Sequence, residues 1–262
     1  MAPECGRIDI PPHRHKIELS LFRTEISVGY GWNEKLLLAM RLPYEIKDQH
    51  VSYRTLDGQP FTPPYGDIHH RTETLRGFGD GEVGVSFSLA KDWLAGAGVT
   101  IPLGRTEPDP IELGRRGLKH EHIQFGSGTF DPKLSLQWSR PLGGIRIAAS
   151  VDARIPLYEN EHGFKAPATV RWAAGPTVAI GSTGIAAQYA GQYQSIGKWN
   201  GEVDEGTGFH NGGVFLRGTF LVAKGFRATP GIYREVYSHS LSDESFRQGT
   251  TYSIVLTRFF QK

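Results

Sequence analysis

The chain has 262 residues, yet only one cysteine, two methionines and a formal net charge of +2. With Cys5 alone, an intrachain disulfide and a cysteine-rich metal site are both excluded. Near-neutral charge removes the electrostatic case for a nucleic-acid partner. No run of about eighteen apolar residues occurs, so no helix is long and oily enough to cross a membrane. A transmembrane barrel is untouched by that absence, because only every second residue of its strands meets lipid. No apolar secretory h-region follows Met1. An exported protein is therefore expected to be represented here in a mature or trimmed form.

What the chain does have is glycine, 33 residues of it, and a persistent two-residue alternation. The clearest case is Lys133 to Pro156. Leu134, Leu136 and Trp138 alternate with Lys133, Ser135, Gln137 and Ser139. After Gly143-Gly144, Ile145, Ile147, Ala149, Val151, Ala153 and Ile155 alternate with Arg146, Ala148, Ser150, Asp152 and Arg154. Side chains change face at every residue of a strand, so this is a β-hairpin with one oily and one polar face. The paired glycines supply the positive φ angles of a two-residue turn.

The same hairpin recurs down the chain. Phe22, Ile26, Val28 and Tyr30 oppose Arg23, Glu25 and Ser27; Asn33-Glu34 turns into Leu36, Leu38, Met40 and Leu42. Val83, Val85, Phe87 and Leu89 lead through Lys91-Asp92 into Trp93–Gly104. A strand over about 166–180 turns at Ser182-Thr183-Gly184 into Ile185, Ala187, Tyr189 and Tyr193. Val214, Leu216, Phe220 and Val222 lead through Lys224-Gly225 into Phe226–Tyr237, and Gln248–Phe260 closes the chain. The other connections are long: 50–74, 104–124, 157–165, 197–210 and 238–247. Short turns at one end and long loops at the other is the arrangement of an outer-membrane barrel. Trp32, Trp93, Trp138, Phe226 and Phe259-Phe260 gather at the short-turn end, where an interfacial girdle would lie.

The expected fold is thus all-β: a single antiparallel transmembrane β-barrel over residues 1–262, with short periplasmic turns and long extracellular loops. Eleven strands are clear, and the even numbers of bacterial single-chain barrels raise the expectation to about twelve. Residues 1–15 are polar and Pro-rich and are expected to be irregular. The oily face switches between Leu21 and Phe22, which suggests a bulge or strand break there, with an extra first strand drawn from residues 6–21.

Several short motifs carry a family resemblance. Tyr252, Ile254, Leu256 and Phe260 in the closing strand look like the C-terminal signature read by the barrel-assembly machinery, although Gln261-Lys262 follow and Arg258 falls in the outward register. Gly77-Phe78-Gly79-Asp80 and Gly126-Ser127-Gly128-Thr129-Phe130-Asp131-Pro132 each open a strand. With Gly31-Trp32-Asn33-Glu34-Lys35 and Leu42-Pro43-Tyr44, their order over residues 22–260 resembles the outer-membrane "transporter" barrels named for the meta-pathway of phenol degradation. The resemblance implies a barrel of about twelve strands that passes small molecules, often aromatic or hydrophobic, across the outer membrane.

If the oily register faces lipid, the other register lines a lumen. That lining comprises Arg23, Glu25, Arg41, Glu82, Lys133, Gln137, Arg146, Asp152, Arg154, Arg171, Gln188, Gln192, Arg217, Arg227 and Glu235. Enclosed charges must meet water or one another, since an unpaired buried charge is very costly. Basic residues predominate, so an open pore is expected to favour anions or neutral solutes. The competing expectation is a structural or binding barrel, its lumen closed by salt bridges and its loop histidines engaging a metal or partner. The ten histidines all fall in long loops, their margins or the N-terminal segment. Candidate metal ligands are His69, His70, His120 and His122, with His13 and His15 as a further pair, but no spacing matches a closed metal site. Tyr237-Ser238-His239-Ser240 sits at a strand end, yet adjacent strand residues face opposite ways and no orienting acid supports a triad. Gly79-x-Gly81 precedes a strand rather than a helix, so it is no nucleotide loop. No catalytic residues and no cofactor are expected. The expected partners are outer-membrane lipid, the assembly machinery and a small-molecule solute, with the oligomeric state left open.

Overall fold

The computed structural model describes residues 11–64, 71–241 and 247–260. The chain opens with β1 (His13–Asn33), β2 (Leu36–Thr55), β3 (Glu73–Phe78), β4 (Gly81–Ala90) and β5 (Trp93–Ile101). A long connection then carries the short helix α1 (Pro110–Arg115). The hairpin β6 (Pro132–Leu142) and β7 (Ile145–Arg154) follows, then β8 (Phe164–Lys165), β9 (Thr169–Ile180) and β10 (Thr183–Gln194). Two short strands, β11 (Gly197–Trp199) and β12 (Glu202–Asp204), precede β13 (Phe209–Ala223), β14 (Phe226–Ser240) and β15 (Thr251–Arg258).

One antiparallel sheet runs β1-β2-β4-β5-β6-β7-β9-β10-β13-β14-β15, eleven positions, with β3 as a twelfth segment on β2. Strands β3 and β4 occupy one position. Tyr44 pairs with Phe78 and Arg41 with Glu82, so one extra residue is accommodated at Gly79-Asp80. The sheet curls into a half-barrel. Both β1 and β15 run from the long-loop end to the short-turn end, and among the described residues neither pairs with the other.

The short turns follow from local chemistry. The Asn33 side chain accepts from the amides of Lys35 and Leu36, an Asx turn that reverses the chain after β1. Gly143 (φ 60°) and Gly225 (φ 72°) occupy left-handed positions that a Cβ would strain.

Three sequence expectations need correction. The strand β1 begins at His13, inside the stretch expected to be irregular, and β2 continues to Thr55, so the first long connection starts later than residue 50. No bulge lies between Leu21 and Phe22: pairing with Lys47 and Ile46 runs through without a shift. The stretch 13–21 therefore belongs to the first strand and is not a separate one. Because alternation is unbroken, Ile17, Leu19 and Leu21 lie on the same face as Arg23 and Glu25, while Lys16, Glu18 and Ser20 lie on the face of Phe22. The physical reason for the pattern is a change of surroundings along one continuous strand, not a break in it.

Burial is inverted relative to a sandwich. Leu134 and Leu216 are 56% and 48% exposed, whereas Asp131 and Thr129 are fully buried. Aromatic side chains on the exposed face cluster near both ends of the strands. Tyr30 packs edge-on with Trp32, and Trp93 tilts against Trp138, at the short-turn end. Tyr44 and Phe78 form a T-shaped pair at the other end, with ring centroids 5.2 Å apart. From Phe22 to Trp32 is a stretch of about eleven residues, the length of a tilted membrane-crossing strand.

The hydrophobic cluster among the described residues lies in the long connections. Strands β12, β11 and β8 form a small sheet in which Phe164, Ala166 and Trp199 are buried, and Ile111 of α1 packs against them. Asp109 caps α1 by accepting from the amides of Ile111 and Glu112, and Pro110 sits at its first position. Asn200 donates to Asp109 at 2.8 Å and Arg115 pairs with Glu202 at 2.8 Å, which ties the helix to the small sheet. Burial of a residue such as Phe164 contributes about 1.5–3 kcal/mol, so these connections form a folded cap.

Candidate functional site

The polar register forms the floor of a trough of about 280 Å³ that crosses β2, β4, β5, β6, β7 and β9. Arg41, Glu82, Lys133, Gln137, Asp152 and Arg171, all expected from the sequence to line a lumen, stand around it. Its floor is shaped by small residues, Ala39, Gly84, Ser86, Gly96, Gly98, Ser135 and Ser150. A Cβ at Gly98 would come within 2.6 Å of the Val83 carbonyl, so this close strand approach requires glycine.

On the first strands the charges of the polar register pair with one another. Arg23 donates to Glu25 at 2.7 Å and to Glu45 at 3.0 Å. Lys47 pairs with Glu45 at 3.1 Å, and Glu82 receives Lys133 at 2.5 Å and Arg41 at 4.0 Å. Arg154 stands 3.8 Å from the fully buried Asp131. Glu45, Lys47 and Asp131 were not among the expected lining residues. The signal was present for two of them: Glu45 and Lys47 share the parity of Arg41 and lie before the long connection expected from residue 50, yet the expected lining stopped at Arg41.

The later strands differ. Arg146 donates to Ser139 Oγ at 3.0 Å, and Arg171 Nε donates to Gln192 Oε1 at 2.9 Å. Arg227 lies over the Phe259 ring, 5.5 Å from its centroid. Arg217 pairs in register with Ala186 and Gly231. Gln188 is buried opposite Phe215. Glu235 accepts from Asn211 Nδ2 and from the Gln248 amide, both at 3.1 Å. Among the described residues, no carboxylate lies within 4 Å of Arg146, Arg171, Arg217 or Arg227.

The two glycine-rich motifs meet. The extra residue at Gly79-Asp80 lets the Asp80 carboxylate accept from the Gly104 amide, the Ser127 amide and Ser127 Oγ, at 3.2, 2.7 and 2.9 Å. Ser127 and Thr129 pass the network on to Asp131, whose carboxylate accepts from Thr129 Oγ1 at 2.6 Å. Neighbouring loop residues fold onto the inner face. Phe125 lies where a Cβ on Gly77 would come within 3.2 Å of its ring, Lys47 Nζ donates to the Gln124 carbonyl at 2.7 Å, and that ammonium sits 4.5 Å above the Phe125 ring.

Arg71 anchors the same loop. It donates to the His120 carbonyl at 2.9 Å and faces Glu73 at 2.7 Å and Glu121 at 3.3 Å. Burial pushes the Glu121 carboxyl up to about 7, and the hydrogen-bonded Glu73 carboxyl adds to the rise. Burial first, then His120 and Arg71, push His122 down to about 4, and burial also lowers His120. Both imidazoles are therefore neutral near pH 7, their ring centroids 5.2 Å apart. His69 and His70 lie outside the described residues. His13 and His15 stack with Tyr53 at the top of the first hairpin. Among the described residues, no group of three or more His, Cys, Asp or Glu could hold a metal ion. Tyr237 OH meets His210 Nε2 at 3.1 Å and His239 packs on the same ring, with Ser238 on the opposite face of the strand.

An inverted, curled antiparallel sheet with segregated loop lengths is a porin-like outer-membrane barrel fold. Comparison with solved structures agrees: the crystal structure of an outer-membrane channel from Pseudomonas putida F1 matches over 92% of this chain and 82% of that one, with 11% identity and a TM-score of 0.58. The NanC porin covers 95% of this chain and 99% of its own, at 11% identity and a lower TM-score of 0.47. No family model matches the chain, and no curated protein matches it in sequence.

Proposed function

We propose that the chain is an outer-membrane channel, a single barrel domain that passes small solutes through its lumen. The observation that carries this reading is the inverted burial: exposed leucines, valines and isoleucines between two aromatic bands, and an ionic face turned onto a trough. In this reading Phe22 to Trp32 crosses the hydrocarbon, and the switch at Leu21 marks where β1 emerges from it. Lys16, Glu18 and Ser20 then face water on the outside. The fifteen lumen residues expected from the sequence line the path, and the folded cap narrows its outer mouth. Insertion into bacterial outer-membrane lipid by the barrel-assembly machinery fits the closing strand. The resemblance to the phenol meta-pathway barrels supports aromatic or hydrophobic molecules as the solutes.

Refolded protein in planar bilayers and liposomes tests the channel. Stepwise conductance and solute flux are expected; silence from protein with heat-modifiable mobility would remove the claim. One set of contacts favours a second reading, a closed brace: the ion pairs of Arg23, Arg41 and Lys133 and the loop docked over Gly77. It predicts that neutralising Arg154 lowers stability with no change in transport.

A further inference from the structure

We propose that the wall built by β7, β9, β13 and β14 is an anion track, with Arg171, Arg146, Arg217 and Arg227 binding carboxylate- or phosphate-bearing solutes in turn. This deepens the channel reading and rests on it.

Strand register sets the spacing. Arg171 pairs with Asp152, six positions above Arg146 on β7. Arg146 shares one cross-strand row with Thr177, Ala186, Arg217 and Gly231. Arg227 is four positions below Gly231 on β14. At about 3.3 Å per residue these steps amount to roughly 20 Å and then roughly 13 Å along the strands. Arg171 stands third in β9 at the long-loop end, whereas Arg146 and Arg227 each stand second in β7 and β14 beside the short turns. The guanidinium groups are thus distributed from one end of the strands to the other. Within the shared row, Arg146 and Arg217 are three strand spacings apart, roughly 14 Å. Two short side chains, Thr177 and Ala186, stand between them in the row.

A guanidinium keeps its charge at every accessible pH and offers a planar fork of donors that fits an oxyanion. On the earlier strands such charges are cancelled by Glu25, Glu45 and Glu82. On this wall Glu235 is engaged by Asn211 and Gln248, and Asp152 sits beside Arg171 without closing to ion-pair distance. A concave, low-dielectric wall concentrates the uncancelled positive field. Several moderate sites in sequence also let an anion enter without being trapped.

The test is the reversal potential of the full chain in a planar bilayer under a KCl gradient. Chloride preference is expected, and the Arg146→Gln/Arg217→Gln pair should cut the chloride-to-potassium permeability ratio roughly threefold or more. Arg146→Lys/Arg217→Lys should keep most of it. If the glutamine pair does not fold, Arg227→Gln gives the same reading at one site. A cation-selective or unselective wild type, or a ratio untouched by the glutamine changes, would overturn the track. If no conductance is seen, the channel reading fails separately. The track is then read by calorimetric titration of inorganic phosphate into detergent-solubilised protein: binding lost in the glutamine pair sustains it, and no binding to wild type ends it.

Discussion

On β1, β2 and β6 the inner-face cations Arg23, Arg41, Lys47 and Lys133 each have a carboxylate within 4.0 Å, whereas Arg146, Arg171, Arg217 and Arg227 on the later strands have none among the described residues. The first wall also carries the docked loop, with Phe125 over Gly77 and Lys47 bonded to Gln124. Charge there is spent on holding the sheet and loop together. On the later strands Arg146, Arg171, Arg217 and Arg227 stay uncancelled by carboxylates among the described residues. One alternating pattern therefore gives two charge arrangements, decided by which residues face each other.

The largest effect is expected where the two glycine-rich motifs meet. Asp80→Ala leaves the donors of Gly104 and Ser127 without their acceptor and should cost about 3 kcal/mol of stability, read by chemical denaturation in detergent. Asp80→Asn, which keeps one acceptor, should cost less; equal stability in all three proteins would show that the motif network is not structural.

Gly77→Leu should push Phe125 off the inner face at a cost of about 1–2 kcal/mol. Single-channel conductance should rise, since the docked loop would no longer occupy that part of the lumen. Unchanged conductance would mean that the loop does not narrow the path.

Lys133→Gln and Arg217→Gln sharpen the comparison directly. The first removes the close partner of Glu82 and should lower stability by about 1 kcal/mol. The second should stay within about 0.5 kcal/mol of wild type while shifting ion selectivity. The reverse ranking would erase the distinction between the walls.

The smallest effect is pH-dependent. Because the Glu121 carboxyl is raised to about 7, ionising it works against the docked loop. Its contribution is complete below the ordinary carboxylate range and is lost as pH rises through about 7. His122, lowered to about 4, acts in the opposite sense: its contribution is complete above the ordinary imidazole range and is lost as pH falls through about 4. Hydrogen exchange of the 118–126 amides should therefore quicken from pH 6 to pH 8, beyond the intrinsic rise. Glu121→Gln should flatten that change; an identical pH response in the variant would rule out this carboxyl as the cause.

Much of the sheet was legible because it is local. Leu134, Leu136 and Trp138 announce a strand face, and Gly143-Gly144 announces its turn. Less legible was the upper part of β1, where Ile17, Leu19 and Leu21 share a face with Arg23. A strand passing between surroundings looks, residue by residue, like a strand that breaks. The cap was missed for another reason: Phe164 and Trp199 come from separate loops of weak pattern, and they meet only once the strands beneath them are in place.

The sequence alone determined which side chains share a face, since alternation is built into the covalent geometry of an extended chain. It could not determine which charges cancel. Arg23 and Glu45, or Asp80 and Ser127, lie far apart along the chain and meet through strand register and one extra residue at Gly79-Asp80. Ion pairing falls steeply with distance, and those distances exist only in the assembled sheet.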